Sequence, residues 1–368
     1  MKPTSILGRY LTRQILFNFL AVLLMVLSVV MLFEVVELLR RTSGRYEVSF
    51  WFVLELAITK MPKTIEMVFP FVMMIAAMVT FWKLSKSNEF VIMRAAGVSI
   101  WGFLLPVLAA TFMVGVINVT MVNPVAANMY DLYETLEYRL KTRNPKAVLF
   151  SDQGLWIREA IDDDNVMVLQ AKSLRQEKDD LLLRGVTILE MDRRSQPSRR
   201  LEAFAGTLKD GYFDLKDVRV FKAGEPTEVL NSLRYKTVLD VERIKENFAA
   251  PESISFWDLP DTIRFYEMSG FSAQRHRLRY FSLLVSPFLL CAMVLVAAVF
   301  ALRPNSRRGG VMFLIVGGIT TGFVVYFLTQ LVYAFGINGY IPVWLAVSTP
   351  ALIATLISVS LLLHLEDG

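Results

Sequence analysis

Charge is missing from this chain over long stretches. No Asp, Glu, Lys or Arg occurs at 14–33, 67–82, 95–130, 280–302 or 309–365. About 20 apolar residues in a helix, each rising about 1.5 Å, cross a hydrocarbon layer of roughly 30 Å. The pattern predicts six membrane spans in two groups of three, at about 11–33, 52–82 and 100–122, then 280–302, 310–335 and 341–363. The second carries Pro62 and Pro70, and the third is expected to end at Asn123-Pro124. The turn residues Gly336-Ile337-Asn338-Gly339 split the last two. Lys2, Arg9 and Arg13 precede the first run as in a signal peptide, but the run is too long and no small-residue cleavage site follows. It reads as a retained helix.

From about 147 the pattern changes to short alternating runs: 147–150, 155–158, 165–170, 181–191, 200–204, 212–215, 218–222 and 233–238. Gly, Asp and Pro punctuate them. Many short strands at near-regular spacing argue for a β-sandwich or jelly roll. The expected architecture is an integral membrane α-helical bundle of six transmembrane helices, three plus three, with an inserted β-jelly-roll domain. Residues 1–140 would hold the first three helices and 141–256 the β domain. Residues 257–368 would hold a linker helix and the last three. Asp162-Asp163-Asp164 lacks the alternating ligands and glycine of a calcium loop and reads as a solvated turn.

Composition fits this segregation. Hydrophobic residues make up 54% of the chain and charged residues 20%. Between 141 and 252 there are 20 Lys+Arg and 20 Asp+Glu, so the net +5 belongs to the membrane halves. A nucleic-acid binder would concentrate basic residues on its soluble part, so no nucleic-acid partner is expected. The sole cysteine, Cys291, lies in an apolar run, and no Cys/His/carboxylate spacing suggests a metal.

Orientation follows from basic residues near span ends. With the N-terminus inside, Lys2, Arg9, Arg13, Lys83, Lys86, Arg94, Arg303, Arg307 and Arg308 are cytoplasmic, against Arg40, Arg41 and Arg45 outside. Both termini are then expected in the cytoplasm and the β domain outside it, which the resemblance described below makes the periplasm.

The most specific local feature is 87–97, between spans two and three. Ser87 or Asn88 can cap a helix, Glu89 falls in its first turn, Arg94 in its last, and Gly97 suits the position just past its end. Phe90, Met93 and Ala96 or Gly97 recur at helical spacing. One reading is an amphipathic helix lying on the lipid surface. The other is a knob that plugs into a partner, with Glu89, Phe90, Met93, Arg94 and Gly97 as the coupling residues. No glycine is followed by lysine, so the phosphate loop of a nucleotide site is missing. A six-span subunit with a cytoplasmic plug and no nucleotide site looks like a permease driven by a separate ABC ATPase.

At this helix the resemblance becomes specific. The chain resembles the lipopolysaccharide-export permease family, LptF/LptG, and its LptG members more than its LptF members. The residues that carry this are Ile6-Leu7-Gly8-Arg9-Tyr10, Met61-Pro62-Lys63, Phe69-Pro70, Glu89 through Gly97, Gln153-Gly154-Leu155-Trp156 and Gly322-Phe323-Val324-Val325-Tyr326. Together they span essentially the whole chain. The family implies an LptF-like second permease, an LptB-like ATPase dimer that uses ATP and Mg, and an LptC-like single-span protein. It also implies an LptA-like periplasmic bridge. Lipopolysaccharide would leave the outer leaflet of the inner membrane through a lateral gate at spans one and five. No cofactor is expected on this chain.

Each methylene exposed to water costs about 0.8 kcal/mol, so a lipid with several acyl chains needs shielding throughout its transfer. Its phosphates call for Lys or Arg at the outer face. Arg40, Arg41 and Lys63 are the lipid A phosphate candidates, with interface snorkelling as the alternative. Glu34 stands where some LptG members carry a basic residue. Phe33, Phe69, Phe323 and Tyr326 are candidates to line the acyl cavity, or are plain packing. Gly318-x-x-x-Gly322 marks a close helix contact, either with a partner or within the bundle.

Three other readings compete. A lipoprotein-release or FtsX-like permease usually has four spans with its large domain after the first, whereas here the domain follows the third. A lipid-modifying enzyme would need an acid/base group in a cavity. Only Glu55 and Glu66 qualify within the spans, and no Ser/His constellation accompanies them. The third is a scaffold without transport.

Overall fold

In the computed structural model, which describes residues 3–42, 49–141, 148–151, 154–160, 165–177, 180–192, 197–209, 211–222, 224–237, 250–268, 271–302 and 310–367, six helices are long and apolar enough to cross a membrane. Arg45, the triplet at 162–164, and Arg303, Arg307 and Arg308 lie outside those residues. Ahead of the strands come α1 (Pro3–Thr42), α2 (Phe50–Lys86), α3 (Glu89–Ala95), α4 (Ile100–Ile117), a π turn (Asn118–Val122) and α5 (Asn123–Lys141). After them come α6 (Leu259–Met268), α7 (Gln274–Ala301), α8 (Gly310–Ile337) and α9 (Val343–Asp367). The chain divides into two compact units: Met1–Tyr133 with Pro251–Pro260 and Gln274–Gly368, and Glu134–Ala250 with Asp261–Ala273.

In the first unit α7 is the central helix. Every side chain from Ala292 to Val299 is buried, and most are Ala or Val, which lets neighbouring backbones come close. Gly115 of α4 lies against it. A Cβ on that glycine would sit 2.6 Å from Pro287 Cα. Gly318 and Gly322 of α8 face Met78 and Met74 of α2, whose methyls lie 2.4 and 2.6 Å from where a Cβ would be. The glycine pair is therefore a packing seam inside the bundle. Between α1 and α2 the contact is polar: Asn18 Nδ2 donates to Thr80 Oγ1 at 2.8 Å, and Lys83 Nζ donates to Asn18 Oδ1 at 2.8 Å. Side-chain hydrogen bonds of this kind hold helices together where no hydrophobic force separates them from lipid.

The third span does not end at Asn123-Pro124, as its sequence suggested. Helical backbone continues through the π turn into α5. Proline lacks an N–H and its ring clashes with the carbonyl four residues earlier, here that of Thr120. The π turn absorbs the conflict and turns that carbonyl outward, where it accepts Trp257 Nε1–H at 3.2 Å. Asn123 is fully buried. Its Oδ1 accepts the Phe256 N–H at 2.9 Å and its Nδ2 donates to Glu66 at 2.7 Å.

Among the described residues the second unit carries seven antiparallel strands: β1 (Val148–Ser151), β2 (Gly154–Ala160), β3 (Asn165–Glu177), β4 (Asp180–Asp192), β5 (Pro197–Lys209), β6 (Tyr212–Lys222) and β7 (Glu228–Lys236). They pair in sequence order, β1 through β7. The runs at 212–215 and 218–222 are one strand, because β6 keeps its pairing with both neighbours on either side of a kink at Asp217. Asp217 has φ 53° and Gly185 φ 61°. Pairing is interrupted at Lys172, Gly185, Phe204, Asp217 and Asn231, one position on each of five successive strands. That line is a crease across the sheet.

The sheet folds over its apolar face. Tyr235 of β7 donates to Glu190 of β4 at 3.1 Å, and Thr237, just past β7, donates to Glu159 of β2. Five strand spacings of about 4.8 Å would keep β7 and β2 roughly 24 Å apart in a flat sheet. Burial and the Glu190 carboxylate raise the Tyr235 phenol above its ordinary range, so it remains a donor. Leu155, Leu169, Leu183, Ile188, Leu215 and Val220 fill the interior with Tyr266 of α6 and Phe271.

The glycine contacts differ in what opposes them. Gly115→Ala sets a Cβ against backbone and is expected to lower stability by roughly 1–3 kcal/mol. Gly322→Ala meets only a flexible thioether and should be near neutral. Thermal unfolding of the two variants in detergent compares them, and an equal loss would refute the distinction.

Candidate functional site

Seven residues make a helix too short to stand alone, so α3 is held by what it packs on. Phe90 and Met93 point into the bundle. The Phe90 ring lies 5.0 Å from that of Phe103 and 6.3 Å from that of Phe81. The helix closes with the Val98 N–H on the Met93 carbonyl (3.0 Å) and the Gly97 N–H on that of Arg94 (2.9 Å), Gly97 having φ +78°. This is the paired bonding that a left-handed glycine permits at a helix end. At the start, neither Ser87 nor Asn88 caps with its side chain. Asn88 instead takes φ 60°, and Ser87 Oγ donates to Glu89 at 2.7 Å. Tyr10 OH also reaches Glu89, at 3.4 Å. The outward face shows Arg94 with Val91 and Ile92, each 65% exposed. Those two aliphatic residues were not singled out by spacing, since Phe90 and Met93 carry the same periodicity with larger side chains.

Of the phosphate candidates, Arg40 and Arg41 are exposed at the end of α1 and pair with Glu37, at 2.9 and 2.8 Å. Lys63 is engaged differently. Its Nζ donates to Tyr130 OH at 2.8 Å and lies 4.0 Å from Glu252. Glu34 forms an ion pair with Lys60, which sets the register of α1 against α2. Counting six residues from Glu34 to Arg40 and three the opposite way from Lys60 to Lys63, about 14 Å of helix axis separates Lys63 from Arg40. The structure therefore groups Arg40 with Arg41 and places Lys63 apart.

The aromatic candidates also divide. Phe33 and Phe323 are 68% and 64% exposed on the outer faces of α1 and α8. Phe69 is buried against Phe19, rings 5.2 Å apart, and is core. Tyr326 is half-buried beside Phe71, at 5.6 Å.

Sequence reasoning missed the polar node in the middle of this unit. Arg279 of α7 pairs with Glu66 of α2, and Glu66 also accepts from Asn123. Arg279 had marked only the edge of a span. Its signal in the sequence was Glu66, a carboxylate within a span four residues before Pro70.

By architecture this is a multi-pass membrane protein of six spans with a β domain between the third and fourth. The family model for Lipopolysaccharide export system permease LptF/LptG matches residues 9–364, and the chain belongs to that family. It is 25% identical over 346 residues to Lipopolysaccharide export system permease protein LptG of Escherichia coli K12, covering 90% of both chains. To the protein of the same name from Haemophilus influenzae it is 22% identical over 361 residues, covering 94% of this chain and 95% of that one.

A Cβ on Gly97 meets nothing within 4 Å, so Gly97→Ala costs backbone strain alone. At roughly 1 kcal/mol, that should speed exchange of the Val98 amide hydrogen about fivefold. Glu66→Ala leaves a buried guanidinium unpaired and is expected to cost about 3–5 kcal/mol. Glu66→Ala with Arg279→Met should recover most of that in thermal unfolding. A double variant no better than the single one would mean that the pair is not the cause.

Proposed function

We propose that the chain is the permease subunit of an ABC transporter. It takes lipopolysaccharide from the outer leaflet of a Gram-negative inner membrane through a lateral gate and passes it to a periplasmic β bridge toward the outer membrane. The observation that carries this reading is the family match over 9–364 on a chain with six spans and an inserted β domain. The gate is formed by α1 and α8 with an LptF-like second permease. Supporting it, these two helices bury the smallest shares of their most apolar stretches, 6% and 17%, so most of their surface awaits lipid or a partner. Phe33 and Phe323 on those outer faces contact acyl chains, and Arg40 and Arg41 contact lipid A phosphates. An exposed pair such as theirs with Glu37 contributes little by itself, so a phosphate can replace the carboxylate.

The chain has its termini in the cytoplasm, and α3 is the element that an LptB-like ATPase dimer grips. Phe90 and Met93 anchor it, while Val91, Ile92 and Arg94 form the contact and Glu89 stays braced by Ser87 and Tyr10. ATP and Mg belong to that ATPase. An LptC-like protein and an LptA-like bridge complete the assembly.

Purification from native membranes in mild detergent tests the reading, with Glu89→Arg and Ile92→Asp beside the wild type. The wild type should bring an ABC ATPase and a second six-span permease, and both variants should lose at least tenfold of the ATPase while keeping the permease. Absence of both partners from the wild type, even after gentle crosslinking, overturns it.

A further inference from the structure

Beside the Glu66–Arg279 pair lies a cavity of about 220 Å³ between α2, the π turn, α7 and α8. Its polar wall is made by Asn118, Arg279, Ser282, Ser286, Thr329 and Gln330. Among the described residues two of these groups have unmet hydrogen-bonding capacity: Asn118 Oδ1, on a side chain 4% exposed, and Arg279 Nε. One is an acceptor and the other an N–H donor, so they require an occupant that can both give and receive a hydrogen bond. Both atoms are shielded from solvent, so the occupant has to enter the cavity to reach them. The net charge of the wall sets a second limit. Glu66 already neutralises Arg279, and Asn123 holds the other Glu66 oxygen, so neither an anion nor a cation would find an unmatched charge.

We propose that this cavity is a binding site for neutral hydroxyl groups, supplied either by ordered water or by the headgroup of a membrane lipid. Ser282 and Ser286 add hydroxyls that can serve as donor or acceptor, and Thr329, whose O–H donates to the Val325 carbonyl at 2.7 Å, adds an acceptor, so the wall adapts to whichever orientation an occupant takes. The volume admits several water molecules at about 30 Å³ each, or one sugar-sized headgroup. Met67 and Gln330 line the cavity and are exposed, so it communicates with the surface of the unit. The inference rests on the cavity alone and does not require lipid export.

The test is thiol labelling of the full chain in membrane vesicles, in a Cys291→Ala background. Ser286→Cys and Thr329→Cys each place a thiol in the wall. Ala297→Cys in the dry core and the exposed Met268→Cys are the references, and only variants whose thermal unfolding matches the background are compared. The probe is 2-aminoethyl methanethiosulfonate, which reacts with thiolate and so needs water at the site. The expected result is labelling of the two wall positions at least tenfold faster than Ala297→Cys, with a several-fold drop when Asn118→Leu is added. Rates equal to the dry reference, or no response to Asn118→Leu, overturn the proposal. Repeating the measurement in vesicles of phosphatidylcholine with and without a glucosyl diacylglycerol separates the two sources. Slower labelling with the sugar lipid assigns the site to lipid hydroxyls, and an unchanged rate assigns it to water.

Discussion

Inside hydrocarbon a polar group must find its partner within the protein, and in this chain that demand is concentrated on Glu66. Its carboxylate receives Arg279 from α7 and Asn123 from the end of the π turn, joining three segments far apart in sequence. The rest of the local geometry follows. Asn123 can reach Glu66 because the helix is not broken before Pro124. It is not broken because the π turn frees the Thr120 carbonyl, which Trp257 then satisfies. A proline that ordinarily stops a helix here marks the place where a helix, a loop and an ion pair are tied together.

Packing around that node is uneven. The Ala292–Val299 stretch of α7 is buried on every side, while α1 and α8 leave most of their surface bare. Hydrophobicity cannot drive helices together within a lipid solvent, so what binds them is fit and hydrogen bonding. Gly115 against Pro287 and the glycines of α8 over Met74 and Met78 provide the fit, and Asn18 with Thr80 and Lys83 provides the bonds. For a permease this contrast is useful. A closely packed centre holds the bundle together, and the uncovered helices are the two proposed above to form the gate.

The β unit solves a different problem, since one apolar sheet face exposed to water must be closed. Strands of up to 13 residues do so by bending along a common line, where Gly185 and Asp217 take left-handed backbone. Folding brings β7 back to β4 and β2, so that Tyr235 and Thr237 bond to carboxylates on strands they do not neighbour.

The six spans, the inserted strands and the short helix with its glycine stop were legible in the sequence, because hydropathy, period-two alternation and turn chemistry are local properties, whereas the side-chain cap expected of Ser87 or Asn88 did not form. Gly97 was readable for the same reason, since one backbone position past a helix end requires a left-handed residue. Partnership was not local. Lys63 looked like Arg40 and Arg41, a basic residue near a span end, until Tyr130 and Glu252 were seen to hold it. Phe90 and Met93 have the spacing of a contact face, yet which side of a two-turn helix faces the bundle depends on Phe81 and Phe103. Glu34 finds Lys60 only because α1 and α2 lie side by side. Charge and apolarity along the chain determined that this is a membrane protein with a soluble insert. Only the tertiary structure decided which charges neutralise one another, because an ion pair depends on distances that span spacing does not encode.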